Sequence, residues 1–318
     1  MPLVDRRTFA SLAAGFLFPE SPADVGSIPI IDTHIHLFDP RRPQGVPWPP
    51  KDDPILFKPA LPQRYASIAE PLGVVGAIEI EASPWLEDNQ WVLDIAANSQ
   101  IIVGTVGNLE PGKPEFRQQL DRFRKNPLFR GIRYGNLWGR NIGARLGEPA
   151  FMADLKALAS EDLGFDTANP DPALIGDMVR LTDKVPHLRV IIDHLPHLQL
   201  PPDRVARNAY ETNLHELGQR PQVYVKVSEV LQRVNGKVPL DVGAYRPVLD
   251  HLWDIFGPDR LIYGSDWPNS DPWGTYAQVL NVVRAYFSGK GHGAAEKFFW
   301  KNSVAAYHWV RRNEKQPG

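Results

Sequence analysis

Eight short apolar runs, set at a regular beat and separated by stretches of helical periodicity, constrain this chain more than any other feature. The runs are Ile28–His34, Val74–Glu81, Ile101–Gly107, Phe129–Arg133, Leu163–Asp166, Arg189–His194, Gln222–Ser228 and Arg260–Asp266. Amphipathic stretches lie between them, among them Glu87–Ser99, Glu115–Lys125, Pro149–Ser160, Asp203–Leu217 and Tyr245–Phe256, with Pro114 and Pro149 placed where a helix begins. Strands that alternate with helices build a parallel sheet, and eight of them favour a closed (β/α)8 TIM barrel over an open one. The 318 residues, 43% of them hydrophobic, suit such a barrel as a single domain. No internal repeat or glycine-rich dinucleotide fingerprint supports a Rossmann arrangement. A last helical pattern, roughly Ala294–Arg311, is expected to close the barrel from outside.

A barrel carries its chemistry at the C-terminal ends of its strands. His34, Glu81, Arg133, Asp166, His194, Ser228 and Asp266 all fall at or near such ends, so polar groups from seven strands converge on one rim. His34 and His36 are two residues apart and share a strand face, and neutral imidazole is a common metal ligand and proton carrier. In Val223–Ser228 the valines take one face, which leaves Lys226 pointing into the barrel. An ammonium there needs a partner, and a buried ion pair with a strand acid such as Glu79 is one solution; contact with substrate is the other. Glu79 and Glu81 share a face of their strand, and the guanidinium fork of Arg133 suits a carboxylate or a polarised carbonyl. The proline-rich segment Leu37–Leu61, with Trp48, is too long for a routine connection and reads as a lid or a wrap around the barrel.

Composition removes several classes of function. The chain has no cysteine, so thiolate nucleophiles, disulfides and cysteine metal sites are excluded, and any metal must use His, Asp, Glu or a modified Lys. A net charge of −2 without long basic runs leaves no footprint for nucleic acid, and the expected partner is a small-molecule substrate. The first 26 residues read differently. Arg6-Arg7, the apolar stretch Ala10–Phe18 and the small residues around Ser21–Ala23 predict a twin-arginine-like export signal and a periplasmic or exported protein; an amphipathic helix docked on the domain is the alternative. The stretch is too short to span a bilayer. The division is thus a signal over 1–26, the barrel over 27–312 and a polar tail over 313–318.

Several segments resemble one family in order and spacing. Asp32-Thr33-His34-Ile35-His36-Leu37-Phe38-Asp39-Pro40, Gly131-Ile132-Arg133, Asp193-His194 and Phe256–Pro268, with its Gly264-Ser265-Asp266-Trp267-Pro268, are similar to the amidohydrolase-related proteins. The branch they most resemble holds the sugar-acid lactonases and 2-pyrone-4,6-dicarboxylate lactonase. The resemblance implies that Asp266 is the general base for water, and that His34, His36 and His194 polarise a carbonyl or, with Asp266, hold one divalent metal such as zinc. It implies that Arg133 binds substrate oxygen. Lys226, Glu81 and Trp267 are further expected substrate contacts, with Trp267 and Trp273 read either as sugar-stacking rings or as buried anchors. The strand-5 end, Gly164-Phe165-Asp166-Thr167, has no histidine, and Arg133 stands where a bridging lysine would, so one metal or none is expected rather than two. After Asp193-His194, where glycine is common, the run is Leu195-Pro196-His197, and His197 is expected in a loop, with a polar group at the rim as the alternative. The implied activity is opening of a cyclic ester. A mononuclear-zinc amide hydrolase or decarboxylase, and a non-catalytic sugar-acid-binding barrel, are the alternatives.

Overall fold

A computed structural model describes residues 25–318, so the export signal expected at the N-terminus lies almost wholly outside the described residues. Eight strands run β1 (Ile30–Ile35), β2 (Val74–Ile80), β3 (Ile102–Gly107), β4 (Phe129–Arg133), β5 (Gly164–Asp166), β6 (Val190–Ile192), β7 (Val223–Val227) and β8 (Leu261–Tyr263). Each pairs in parallel with the next, in sequence order around the sheet. The ring closes where β8 returns to β1: His36 N donates to Trp267 O (2.8 Å) and Asp266 N to His34 O (2.9 Å). This is the (β/α)8 barrel that the alternation predicts.

The helices are α1 (Pro62–Ala69), α2 (Leu86–Ala97), α3 (Phe116–Phe123), α4 (Ile142–Arg145), α5 (Pro149–Ser160), α6 (Pro172–Lys184), α7 (Arg204–Gly218), α8 (Arg246–Phe256), α9 (Tyr276–Ser288), α10 (His292–Glu296) and α11 (Asn302–Tyr307). The single terminal helix expected over Ala294–Arg311 is instead two short helices joined by a π-helical turn, Lys297–Lys301. Asp171, Asp203 and Thr275 cap α6, α7 and α9 by accepting from backbone N–H groups of the first turn, which satisfies donors a helix start leaves open. Among the described residues no helix is long and apolar enough to cross a membrane.

Strand parity sorts the core into two parts. Val223, Val225 and Val227 join the large cluster between sheet and helices. Tyr224 joins Ile31, Ile78, Val103, Ile191 and Ile262 inside the barrel, where Tyr307 and Trp309 enter from the last turns of the chain. Residues 313–318 are less of a free tail than their polarity suggests: Gln316 is fully buried and its Nε2 donates to Val75 O and Gln100 O. One glycine is set by space. A Cβ at Gly264 would lie 2.8 Å from His34 Cβ and 3.0 Å from Lys226 Cγ, so only a bare backbone lets β8 pass these two side chains.

Candidate active site

The C-terminal rim of the barrel encloses a cavity of about 150 Å³, with His36, Glu81, Arg133, His194, Glu229 and Asp266 among its walls. Asp32 sets the rim's geometry without entering it. Its buried carboxylate accepts from His34 N (3.1 Å), Ser265 N (2.9 Å), Tyr65 Oη (2.8 Å) and Tyr276 Oη (2.9 Å), which ties the end of β1 to the end of β8. Three residues just past successive strands, His194, Glu229 and Asp266, have positive φ (58°, 50° and 60°). This left-handed backbone turns each side chain off the strand's own parity, and non-glycine residues adopt it at a cost of roughly 1–2 kcal/mol.

Asp266 is the hub. His34 Nε2 lies 3.4 Å and His36 Nε2 3.2 Å from its Oδ1, while Asn269 Nδ2 donates to its Oδ2 at 2.6 Å and to Glu229 Oε1 at 3.2 Å. Burial pushes Asp266 up to about 7 and Glu229 up to about 8. Burial also holds the imidazoles neutral: His36 falls to about 4, with the Arg133 charge adding to the effect, and His34 and His194 fall well below their ordinary value. His194 Nδ1 is hydrogen-bonded to Ser228 Oγ (2.8 Å), which leaves its Nε2 for the cavity. Arg133 donates Nε to Thr167 O (3.1 Å) and lies 3.4 Å from Asp193 Oδ2, a fixed cation in the wall.

The tautomer of His36 tests whether a metal fits. Its Nδ1 faces Ile80 O at 2.8 Å, and a carbonyl only accepts, so Nδ1 carries the proton. The lone pair on Nε2 then points at a carboxylate oxygen 3.2 Å away. Two acceptors at that distance need a proton or a cation between them, and either Asp266's own proton or a divalent ion supplies it. Ligand atoms of a tetrahedral zinc with bonds near 2.1 Å stand about 3.4 Å apart, which is the spacing seen. Among the described residues, both ring nitrogens of buried His34 lack hydrogen-bond partners. His34, His36 and Asp266 therefore fit one divalent cation, and His194, Glu229 and Asp266 form a second set of donors sharing the same carboxylate.

Of the residues expected at the site, His36, Glu81, Arg133, His194 and Asp266 line the cavity, with His34 just behind them. Lys226 and Trp267 are placed elsewhere. Lys226 is fully buried one layer down, its Nζ 2.8 Å from both Asp166 Oδ2 and Asp193 Oδ1, so its charge is taken by two carboxylates rather than by substrate. Its partner is not Glu79, which lies with Leu37, Phe38 and Asp88 on the helix side of β2. Trp267 is likewise fully buried, packed on Tyr65 and Arg64, and is an anchor rather than a stacking surface. Trp48 from the long segment faces the His36 ring (5.7 Å between centroids), while Phe38 and Ala60 pair to close that segment's neck. The segment is thus a wall of the site. Glu229, Asn269, Trp138 and Asn169 complete the cavity and were not singled out from sequence. A glutamate directly after the polar end of β7 was the available signal for Glu229, but its left-handed φ is not written in the residue types.

Comparison with known proteins bears on the family and the fold. The family model described as amidohydrolase matches residues 31–309. L-fucono-1,5-lactonase of Burkholderia ambifaria is 28% identical over 241 residues, covering 76% of this chain and 80% of that protein. L-rhamnono-gamma-lactonase of Scheffersomyces stipitis is 28% identical over 201 residues, 57% of this chain and 59% of that one. A crystal structure of an amidohydrolase from Burkholderia multivorans with bound zinc superposes with a TM-score of 0.76 at 20% identity, over 88% of this chain and 99% of the other.

Proposed function

Because the chain belongs to the amidohydrolase family and is a hydrolase, we propose that it opens a sugar-acid lactone, with Asp266 as the base that activates water. The observation that carries this reading is the placement of Asp266: a buried carboxylate at the end of β8, in contact with two neutral imidazoles and facing a cavity that also holds His194 and Arg133.

A water held between Asp266 and the lactone carbonyl gives its proton to the carboxylate as its oxygen bonds to carbon. The charge that develops on the carbonyl oxygen is met by the fixed Arg133 cation and by His194, whose Nε2 carries the hydrogen when Ser228 donates to Nδ1. Collapse breaks the bond from the acyl carbon to the ring oxygen, and Asp266 returns its proton to that oxygen, giving the hydroxy acid. No side chain becomes acylated. A divalent cation, held by His34, His36 and Asp266, would supply Lewis-acid polarisation of the carbonyl. The His36 tautomer supports that zinc-dependent variant, and with it the amide-hydrolase alternative. The Arg6-Arg7 segment supports export of the folded barrel as its destination.

The test is acid release from a panel of sugar lactones, pyrone lactones and simple amides by wild type and Asp266→Asn. Lactone hydrolysis reduced about 10²–10⁴-fold by the substitution is expected; silence on every lactone would reject the assignment. Asp266 accepts a proton only when ionised, so kcat/KM of metal-depleted protein should rise as pH passes upward through about 7.

A further inference from the structure

A second cavity, of about 300 Å³, adjoins the catalytic one and shares Asn169, His194 and Glu229 with it. Pockets that enclose drug-sized ligands occupy about 300–1,000 Å³. The catalytic cavity alone falls short of that range, and the two together enter it. The walls of the second cavity are mixed. Pro170, Pro172 and Leu198 are apolar, while Asp171, His197 and Gln199 are polar. His197 Nδ1 is buried without a hydrogen-bond partner, and Glu229 Oε2, at 3.8 Å, is too far to provide one. The left-handed turn at Glu229 places its carboxylate on the boundary between the two spaces.

This lining selects among substituents. Asp171 borders the space, Glu229 beside it is held protonated by burial, and among the described residues no lysine or arginine lines it, which disfavours an anionic group. Apolar side chains beside scattered hydrogen-bonding groups match a pyranose, which presents C–H faces and a hydroxyl edge. We propose that the second cavity is a subsite for an uncharged, hydroxyl-rich substituent about the size of one sugar, so that the substrate is a glycosylated aldonolactone rather than a lone sugar ring. The inference rests on the lactonase reading above for the ring in the catalytic cavity.

Binding separates the two ideas, because it does not require turnover. Sugar lactams, in which nitrogen replaces the ring oxygen, are titrated calorimetrically into wild type, once as the single ring and once carrying a glycosyl unit. The glycosylated lactam should bind about tenfold tighter, and His197→Ala should shrink that ratio. Leu198→Trp, which fills the cavity instead of removing a polar group, should abolish the gain. Equal affinities, or binding of neither lactam, would overturn the subsite. Lactone hydrolysis with equal affinities leaves the lactonase reading standing and removes only the subsite. Preferential binding without hydrolysis of any lactone keeps the subsite and removes the lactonase reading.

Discussion

Lys226, on β7, and Asp266, just past β8, are both fully buried, yet they are surrounded in opposite ways. Lys226 sits between Asp166 and Asp193; Asp166 also accepts from Tyr307 Oη (2.6 Å), and Asp193 faces Arg133. Two cations thus meet two carboxylates in that lower layer, and a buried charge is tolerated when it is paired and hydrogen-bonded. Asp266, in the layer above, has neutral imidazoles on one side and a second carboxyl, Glu229, on the other, with a single amide donor between the acids. The lower layer is balanced and closed, as a structural element should be. The upper layer shares only the Arg133 cation, which already faces Asp193, and is left short of positive charge and open to a cavity, which is the condition for taking up a proton or a cation.

The largest effect should come from unbalancing the lower layer. Lys226→Met leaves buried Asp166 without a cation and Asp193 with Arg133 alone, and is expected to cost about 3–5 kcal/mol of stability, read from urea unfolding. Lys226→Met combined with Asp166→Asn, which keeps the Arg133–Asp193 pair, should recover most of that loss; unchanged stability in the single variant would erase the contrast between the layers. A smaller effect, of opposite sign, is expected above. Burial raises Asp266 to about 7 from an unfolded value near 3.8, so the folded state holds this proton more tightly than the unfolded chain does. Stability therefore declines as pH climbs between those values, and the full penalty is present above about 7. Asp266→Asn should accordingly stabilise metal-depleted protein by roughly 1–3 kcal/mol near pH 8 and by almost nothing toward pH 4. Thermal melts at the two pH values check this, and an equal gain at both would mean that the carboxylate's charge is not what is being removed. Smallest is the rim. Trp138 donates Nε1 to both oxygens of Glu81 at 3.2 Å, and Trp138→Phe should raise KM about threefold to fivefold while leaving kcat within a factor of about two, as loss of ground-state positioning does.

Much of this arrangement was legible before any coordinates. The barrel follows from the beat of apolar runs, because each strand has to cover one face with helices and the other with barrel interior. The inward aim of Lys226 follows from the alternation of valines in β7. Its partners do not, because pairing across the barrel depends on how far each strand is staggered against its neighbours: Asp166 and Asp193 reach the level of Lys226, while Glu79 points the other way. Trp267 shows the same limit. An aromatic ring directly after Asp266 reads as a substrate platform until packing shows Tyr65 and Arg64 already upon it. Glu229 escaped notice for a different reason, since strand parity stops informing where the backbone leaves the extended region.

The repeated left-handed turn after β6, β7 and β8 makes the rim behave as a row of sockets. At each one the direction of the side chain is fixed by the main chain, so the group presented can be exchanged without moving the strand that presents it. Glycine enters such a bend freely and asparagine, aspartate and histidine more readily than other side chains, whereas valine or isoleucine is rarely held there. New chemistry on this barrel is therefore most accessible by varying positions 194 and 266 within that small alphabet, Glu229 being the one socket of the three already filled from outside it.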